Sequence, residues 1–285
     1  MIPQTWRLHR AALAGATLAG AAGGLVLASA RPAAANPWVP AAGHGVTKPQ
    51  IRLFRGDRAY PPGGFTTKTI HASTESYTQF RLTGVQGIGH GLSIEYDLRA
   101  GHVDRSATHH GVTTDSISTG LQDQEIGLNY GLVQTHRFAD SVELNVVLPT
   151  GTTKPAPSLG TGRWALEPDF QAGIARRWGS VGIILGPRIF LDGNATQIRT
   201  TIDAEFRATH RLSLTGEIFF VRTIRQASAL PPGARGEIYN LLRLGAGAQY
   251  RLTERFRPFL LDEVTVAGSG VHAGNRFEFG LAIHY

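Results

Sequence analysis

The sequence contains no cysteine. That excludes a disulfide framework and any thiolate-ligated metal, so the fold is held by hydrogen bonds and packing. Lysine is nearly missing too: with only Lys48, Lys68 and Lys154, almost all positive charge is arginine. Those arginines are spread along the chain, many alternating with apolar residues. A nucleic-acid binder would gather them on a patch or stripe. Beyond residue 35 no stretch approaches the roughly 18 apolar residues of a membrane-crossing helix. The mean hydropathy of −0.09 resembles that of a soluble protein. A transmembrane β-barrel has the same average, because half of each strand faces a polar lumen.

The first 35 of the 285 residues read separately. A short basic start with Arg7 and Arg10 is followed by the apolar run "AALAGATLAGAAGGLVLASA" and then "RPAAA". This is the layout of a secretory signal peptide, cleaved most simply between Ala35 and Asn36. An N-terminal membrane anchor is the alternative, but the run is built of Ala and Gly rather than Leu. Removing three arginines and no acid lowers the net charge from +7 to +4. The expected organisation is a signal over 1–35 and one domain over 36–285.

What the domain has is alternation. "LSIEYDL" sets Leu92, Ile94, Tyr96 and Leu98 against Ser93, Glu95, Asp97 and Arg99. "EIGLNYGL", "VELNVVL", "LEPDFQAGI", "IRTTIDAEFRA" and "NLLRLGAGAQY" repeat the pattern. Successive side chains of a strand point to opposite faces, so each run has an apolar and a polar face. Weaker candidates cover roughly 45–55, 74–84, 180–191, 211–225 and 256–267. With the closing stretch they make twelve strands, an even number as in bacterial single-chain barrels.

The connections sort by length. After every second strand the link is short: "QGIGH", "THRFAD", "RRWG", "THR" and "LTER". After the others it runs over 56–73, 104–121, 149–164, 225–236 and 268–275, with "DGNAT" the one short exception. Outer-membrane barrels have short periplasmic turns and long outer loops. The expected fold is therefore an all-β, transmembrane, antiparallel up-and-down barrel of about twelve strands. The competing fold is a soluble lipocalin-like barrel or sandwich, which has no reason to sort its loops.

The closing stretch "NRFEFGLAIHY" puts Phe277, Phe279, Leu281, Ile283 and Tyr285 on one face. In lipid a sheet must close so that no edge is left unpaired. This strand would seal the barrel, with Tyr285 at the interface, where an amphipathic ring is favoured. It also resembles the signal read by the outer-membrane barrel assembly machinery. The expected partners are outer-membrane lipid, that machinery and a small-molecule solute, with no nucleic acid.

Three stretches resemble one family: "NPWVPAAGHG", "GLQDQEIGLNYGL" and "VELNVVLPTG". They are similar to an entry segment and two strands of the outer-membrane barrels labelled as phenol-degradation (MetA-pathway) components or as transporter-like. That resemblance implies the fold and the location, and its label suggests uptake of small aromatic compounds. It supplies no site residues.

The polar faces form the candidate site. One inward set is acidic: Glu95, Asp97, Glu125, Glu143, Glu167 and Asp169, with Arg99 opposing. The other is arginine-rich: Arg188, Arg199, Arg207, Arg243 and Arg276, interleaved with Asp203, Glu205, Glu217 and Glu278. Facing walls of opposite sign would set a field across a narrow channel that orients polar solutes. The same side chains would equally pair off and plug the lumen. Lateral entry past "YPPGGF" (Phe65) or "ALPPGARG" (Leu230) is a further route, although both read as turns.

The expected function is passive passage of small molecules, with a sealed barrel as the alternative. A lipid hydrolase built on Ser106, His109 and His110 in "RSATHHG" ranks third, since nothing in the spacing forces the hydroxyl onto an imidazole. "GTGRW" and "GIGHG" precede no helix and cradle no phosphate. No cofactor, metal site or enzyme activity is expected.

Overall fold

A computed structural model describes residues 37–285 apart from 110–111, 155–156, 194 and 227–237. The signal region, with its cleavage site, lies outside the described residues. So does "ALPPGARG".

The alternating runs all become strands. In chain order they are β1 (Gly45–Tyr60), β2 (Ile70–Gly89), β3 (Leu92–His109), β4 (Val112–Leu121), β5 (Gln124–Gln134), β6 (Phe138–Leu148) and β7 (Ala165–Arg176). There follow β8 (Gly179–Phe190), β9 (Ala195–Arg207), β10 (Leu212–Gln226), β11 (Asn240–Tyr250), β12 (Phe256–Ser269) and β13 (Val271–His284). Each pairs antiparallel with the next round the wall, and β13 returns to β1 with Ile51 opposite Phe279. The end of the chain locks the seam, because Gly45 and Tyr285 exchange backbone hydrogen bonds at 3.0 and 3.2 Å.

Thirteen strands make twelve staves because β4 and β5 share one. The inner half of β3 pairs with β5, with Leu92 opposite Tyr130. Its outer half pairs with β4, with Ser106 opposite Asp115. Gln122 and Asp123 separate the two pieces. The expectation of a loop over 104–121 is thus corrected: this stretch is a hairpin that extends the wall. The expected loop over 268–275 is also corrected, to the single residue Gly270 between β12 and β13.

The link between β6 and β7 folds back onto the place where β4 ends. The Thr152 amide donates to the Leu121 carbonyl at 3.2 Å. Asp123 accepts from the amides of Gly151 (3.0 Å) and Thr161 (2.7 Å) and from the Thr161 hydroxyl (2.8 Å). One buried carboxylate therefore satisfies three donors of a loop that has no ladder of its own.

At the short-turn end, three links share a Thr-x-Arg-apolar sequence. In each the threonine hydroxyl accepts the amide three residues on: Phe138 at 2.9 Å, Leu212 at 2.9 Å and Phe256 at 3.0 Å. These are side-chain-closed turns that reverse the chain in few residues. The β2–β3 turn uses glycine instead. Gly89, His90 and Gly91 have φ of +97°, +54° and +75°, a run of left-handed residues in which a Cβ is costly.

The two faces separate as alternation requires. Leu128, Leu144, Phe170, Leu185, Leu260 and Phe279 are all 40–50% exposed on the outer face. Gln171, Gln197, Glu263, Asn129 and Ser141 are fully buried inside. A protein with its apolar side chains outside and its polar ones inside is built for lipid. Aromatics Tyr130, Trp178, Phe206, Tyr250, Phe256 and Tyr285 stand exposed near the short-turn end, as an interfacial girdle.

Candidate functional site

The polar faces enclose a cavity of about 580 Å³. Its lining includes all six expected acidic residues, with Arg199, Arg243 and Arg276. Arg188 is inserted between two of the acids. Arg207 lies at the short-turn end of β9 and is not among the lining residues.

The charges are laced together along, between and across the strands of the lumen rather than sorted onto opposite walls. Arg81 on β2 grips Asp97 on β3, with Nε 2.6 Å from Oδ1. Arg99 bonds the same carboxylate and also reaches Glu125 at 3.0 Å. Arg188 bridges Glu125 (2.6 Å) and Glu167 (Nε at 2.7 Å). Arg199 closes on Glu167 at 2.9 Å. Asp97, Glu125 and Glu167 therefore each have two guanidinium partners.

The belt continues through an aromatic. The guanidinium carbons of Arg199 and Arg243 lie 5.4 and 5.9 Å from the Phe219 ring centre. Beyond it, Glu263 is held by Arg276 and stands 3.8 Å from Arg243, and Glu278 pairs with Arg52. Planar, forked guanidinium suits such bridging better than a single ammonium. A belt of this kind narrows the lumen while leaving every charge compensated.

A second tier is different. Glu95, Glu143 and Asp169 have no arginine or lysine within ion-pair distance among the described contacts. Amides serve them instead. Asn129 Nδ2 donates to Glu95 at 3.1 Å, Gln171 to Glu143, and Asn145 to Asp169 at 3.4 Å. Glycines make the room. A Cβ on Gly127 would lie 2.5 Å from a Glu143 oxygen, and one on Gly186 2.0 Å from an Asp169 oxygen. The β7–β8 ladder is interrupted here, where Pro168 and Pro187 face each other and neither donates.

The segment before β1 crosses the short-turn mouth. Trp38 Nε1 donates to the Thr135 carbonyl at 2.6 Å, and Gln134 bonds both the Pro37 carbonyl and the Val39 amide. Gly173 lies against Trp38 and Pro37, and Gly87 against Pro40 and Ala41. Residues 37–44 thus run from the β5–β7 side to β1 and β2, over the end of the lumen.

A model of the family described as "Putative MetA-pathway of phenol degradation" matches residues 52–280. The chain belongs to that family. This MetA-pathway barrel also resembles solved structures. An outer membrane channel from Pseudomonas putida F1 superposes with a TM-score of 0.66 at 13% identity, over 87% of this chain and 98% of that one. The translocator domain of the autotransporter NalP from Neisseria meningitidis gives 0.53 at 12% identity, over 86% and 89%. At such identities the likeness establishes the outer-membrane barrel fold. No curated protein matches the sequence.

Sequence reasoning missed Arg81, because β2 alternates poorly, and missed Arg52 and Lys48 beside Pro49 in β1. The amides Asn129, Asn145 and Gln171 sit on the polar faces already read, two or four residues from an expected acid. Ser106 lies within β3 between Thr74 and Asp115. The His109 side chain and His110 lie outside the described residues. Phe65 packs on Phe220, with ring centres 6.1 Å apart.

Proposed function

We propose that this MetA-pathway barrel resides in the outer membrane and gives small molecules passive passage through its lumen. One observation carries the reading: a cavity lined by charged and amide side chains inside a wall whose outer face is apolar. Hydrophilic lining in a closed barrel solvates a solute that lipid would reject. The similarity to a bacterial outer membrane channel supports it. No step of a reaction is needed. Export by a cleaved signal, and assembly through the closing strand ending at Tyr285, complete the reading.

The test is single-channel current of the refolded mature protein in a planar bilayer under a salt gradient. Reproducible steps are expected, small because twelve staves are fewer than the 16–18 of wide porins. An inserted, heat-modifiable protein that never conducts would overturn passage.

A sealed barrel is the second reading, favoured by residues 37–44 across the mouth. A variant lacking residues 37–42 decides between them. Larger steps than the full-length protein gives would identify that segment as the constriction. Silence in both would assign the seal to the arginine belt.

A further inference from the structure

The belt and the second tier differ in one respect that has chemical consequences. In the belt every carboxylate has a cation. In the tier of Glu95, Glu143 and Asp169, acceptors outnumber donors. Glu143 stands directly opposite Asp169 across β6–β7, and Asn129 directly opposite Glu143 across β5–β6. Neighbouring strands are about 4.8 Å apart, and like charges placed opposite each other are destabilising. Asn129, 1% exposed, carries a second sign: its Nδ2 is spent on Glu95, and its Oδ1 is a buried acceptor without a partner. A buried acceptor beside carboxylates that have no ion-pair partner among the described contacts leaves a place for a donor that carries positive charge.

We infer that this tier is a binding site for an organic ammonium group that enters the lumen. An ammonium has three donors and no acceptor, and so matches a surface made of carboxylate and amide oxygens. A chelated metal fits less well, since no group of three acidic or imidazole side chains converges as a metal site among the described residues. Ile184 on β8, opposite Gln171, gives the carbon skeleton an apolar neighbour. The wider lumen favours the same sign. Its described lining has ten carboxylates against seven cationic side chains, one of which, Lys48 on β1, faces the same cavity.

The site deepens the passage reading, and its biological use rests on that reading; binding itself does not need an open pore. Two measurements therefore run side by side, with n-butylammonium as probe, n-butanol as the uncharged control and potassium chloride as the inorganic cation. Ligand-observed saturation-transfer NMR reports binding to the detergent-refolded protein. The reversal potential in a potassium chloride gradient reports selectivity.

The expected result is a clear n-butylammonium signal that falls at least fivefold in Glu143→Gln/Asp169→Asn and is weak for n-butanol. The reversal potential should shift toward anion preference in the same variant. Glu95→Gln, a single isosteric change, gives a folded comparison if the double variant loses its heat-modifiable band. Equal signals from wild type and variants, or an equal signal from n-butanol, would overturn the site even if current flows. If potassium chloride at equal concentration abolishes the signal, the tier holds any small cation, and the assignment to an organic ammonium falls. Binding without any current would leave the site standing and remove passage.

Discussion

Single residues in the lumen act as connectors, and Arg188 shows how. Its guanidinium lies between Glu125 and Glu167 and is 11% exposed at the side chain. Arg188→Leu leaves each carboxylate with one remaining partner, Arg99 or Arg199. Breaking a fully buried pair costs about 3–5 kcal/mol, and lumen water reduces this to roughly 2 kcal/mol. The expected outcome is a lower urea midpoint for loss of the heat-modifiable band in detergent. Arg188→Lys should recover less than half of the difference, because one ammonium cannot fork between two carboxylates. An unchanged midpoint in Arg188→Leu would mean that the belt adds no stability.

Within elements, legibility depended on where a strand lies relative to lipid. Strands such as β5, β6 and β11 could be read because one face meets hydrocarbon and the other meets the lumen. The β3–β4 hairpin could not. "VDRSATHHGVTTDSIST" has polar residues on both faces, since it stands beyond the apolar band and no lipid imposes a period. The closing strand was legible for the opposite reason: its apolar face is in lipid almost from end to end. The carboxylates of the lumen were legible residue by residue. Their partners were not, because pairing depends on register, and Arg81 reaches Asp97 only through the β2–β3 alignment.

The β6–β7 link raises a prediction at the same scale. Its attachment is concentrated in Asp123, which holds Gly151 and Thr161 together where β4 ends. Asp123→Ala removes an acceptor of three hydrogen bonds without touching any ladder. The loop over 149–164 should become a protease site, cut after Arg163 by trypsin in intact outer-membrane vesicles, since Lys154 is followed by Pro155 and resists trypsin. The barrel should keep its heat-modifiable band. Cleavage at the wild-type rate would show that other contacts hold the loop.

Over the whole molecule, the wall is one strand thick, so a single step along the chain exchanges lipid for lumen. Leu144 and Asn145 are such neighbours. Leu144 is 48% exposed on the outer face, opposite Leu128, whereas Asn145 faces Glu167 and bonds Asp169. Arginine at the two positions should have opposite consequences. On the lipid face it costs about 2–4 kcal/mol near the bilayer midplane. Leu144→Arg should therefore refold into lipid vesicles with a markedly lower yield than wild type. Asn145→Arg places the same charge beside the carboxylates of the second tier and should refold at least as well. The same substitution should then displace n-butylammonium from the lumen. Equal refolding losses at both positions would contradict the assignment of faces, because the single-layer wall would then have no inside at this level.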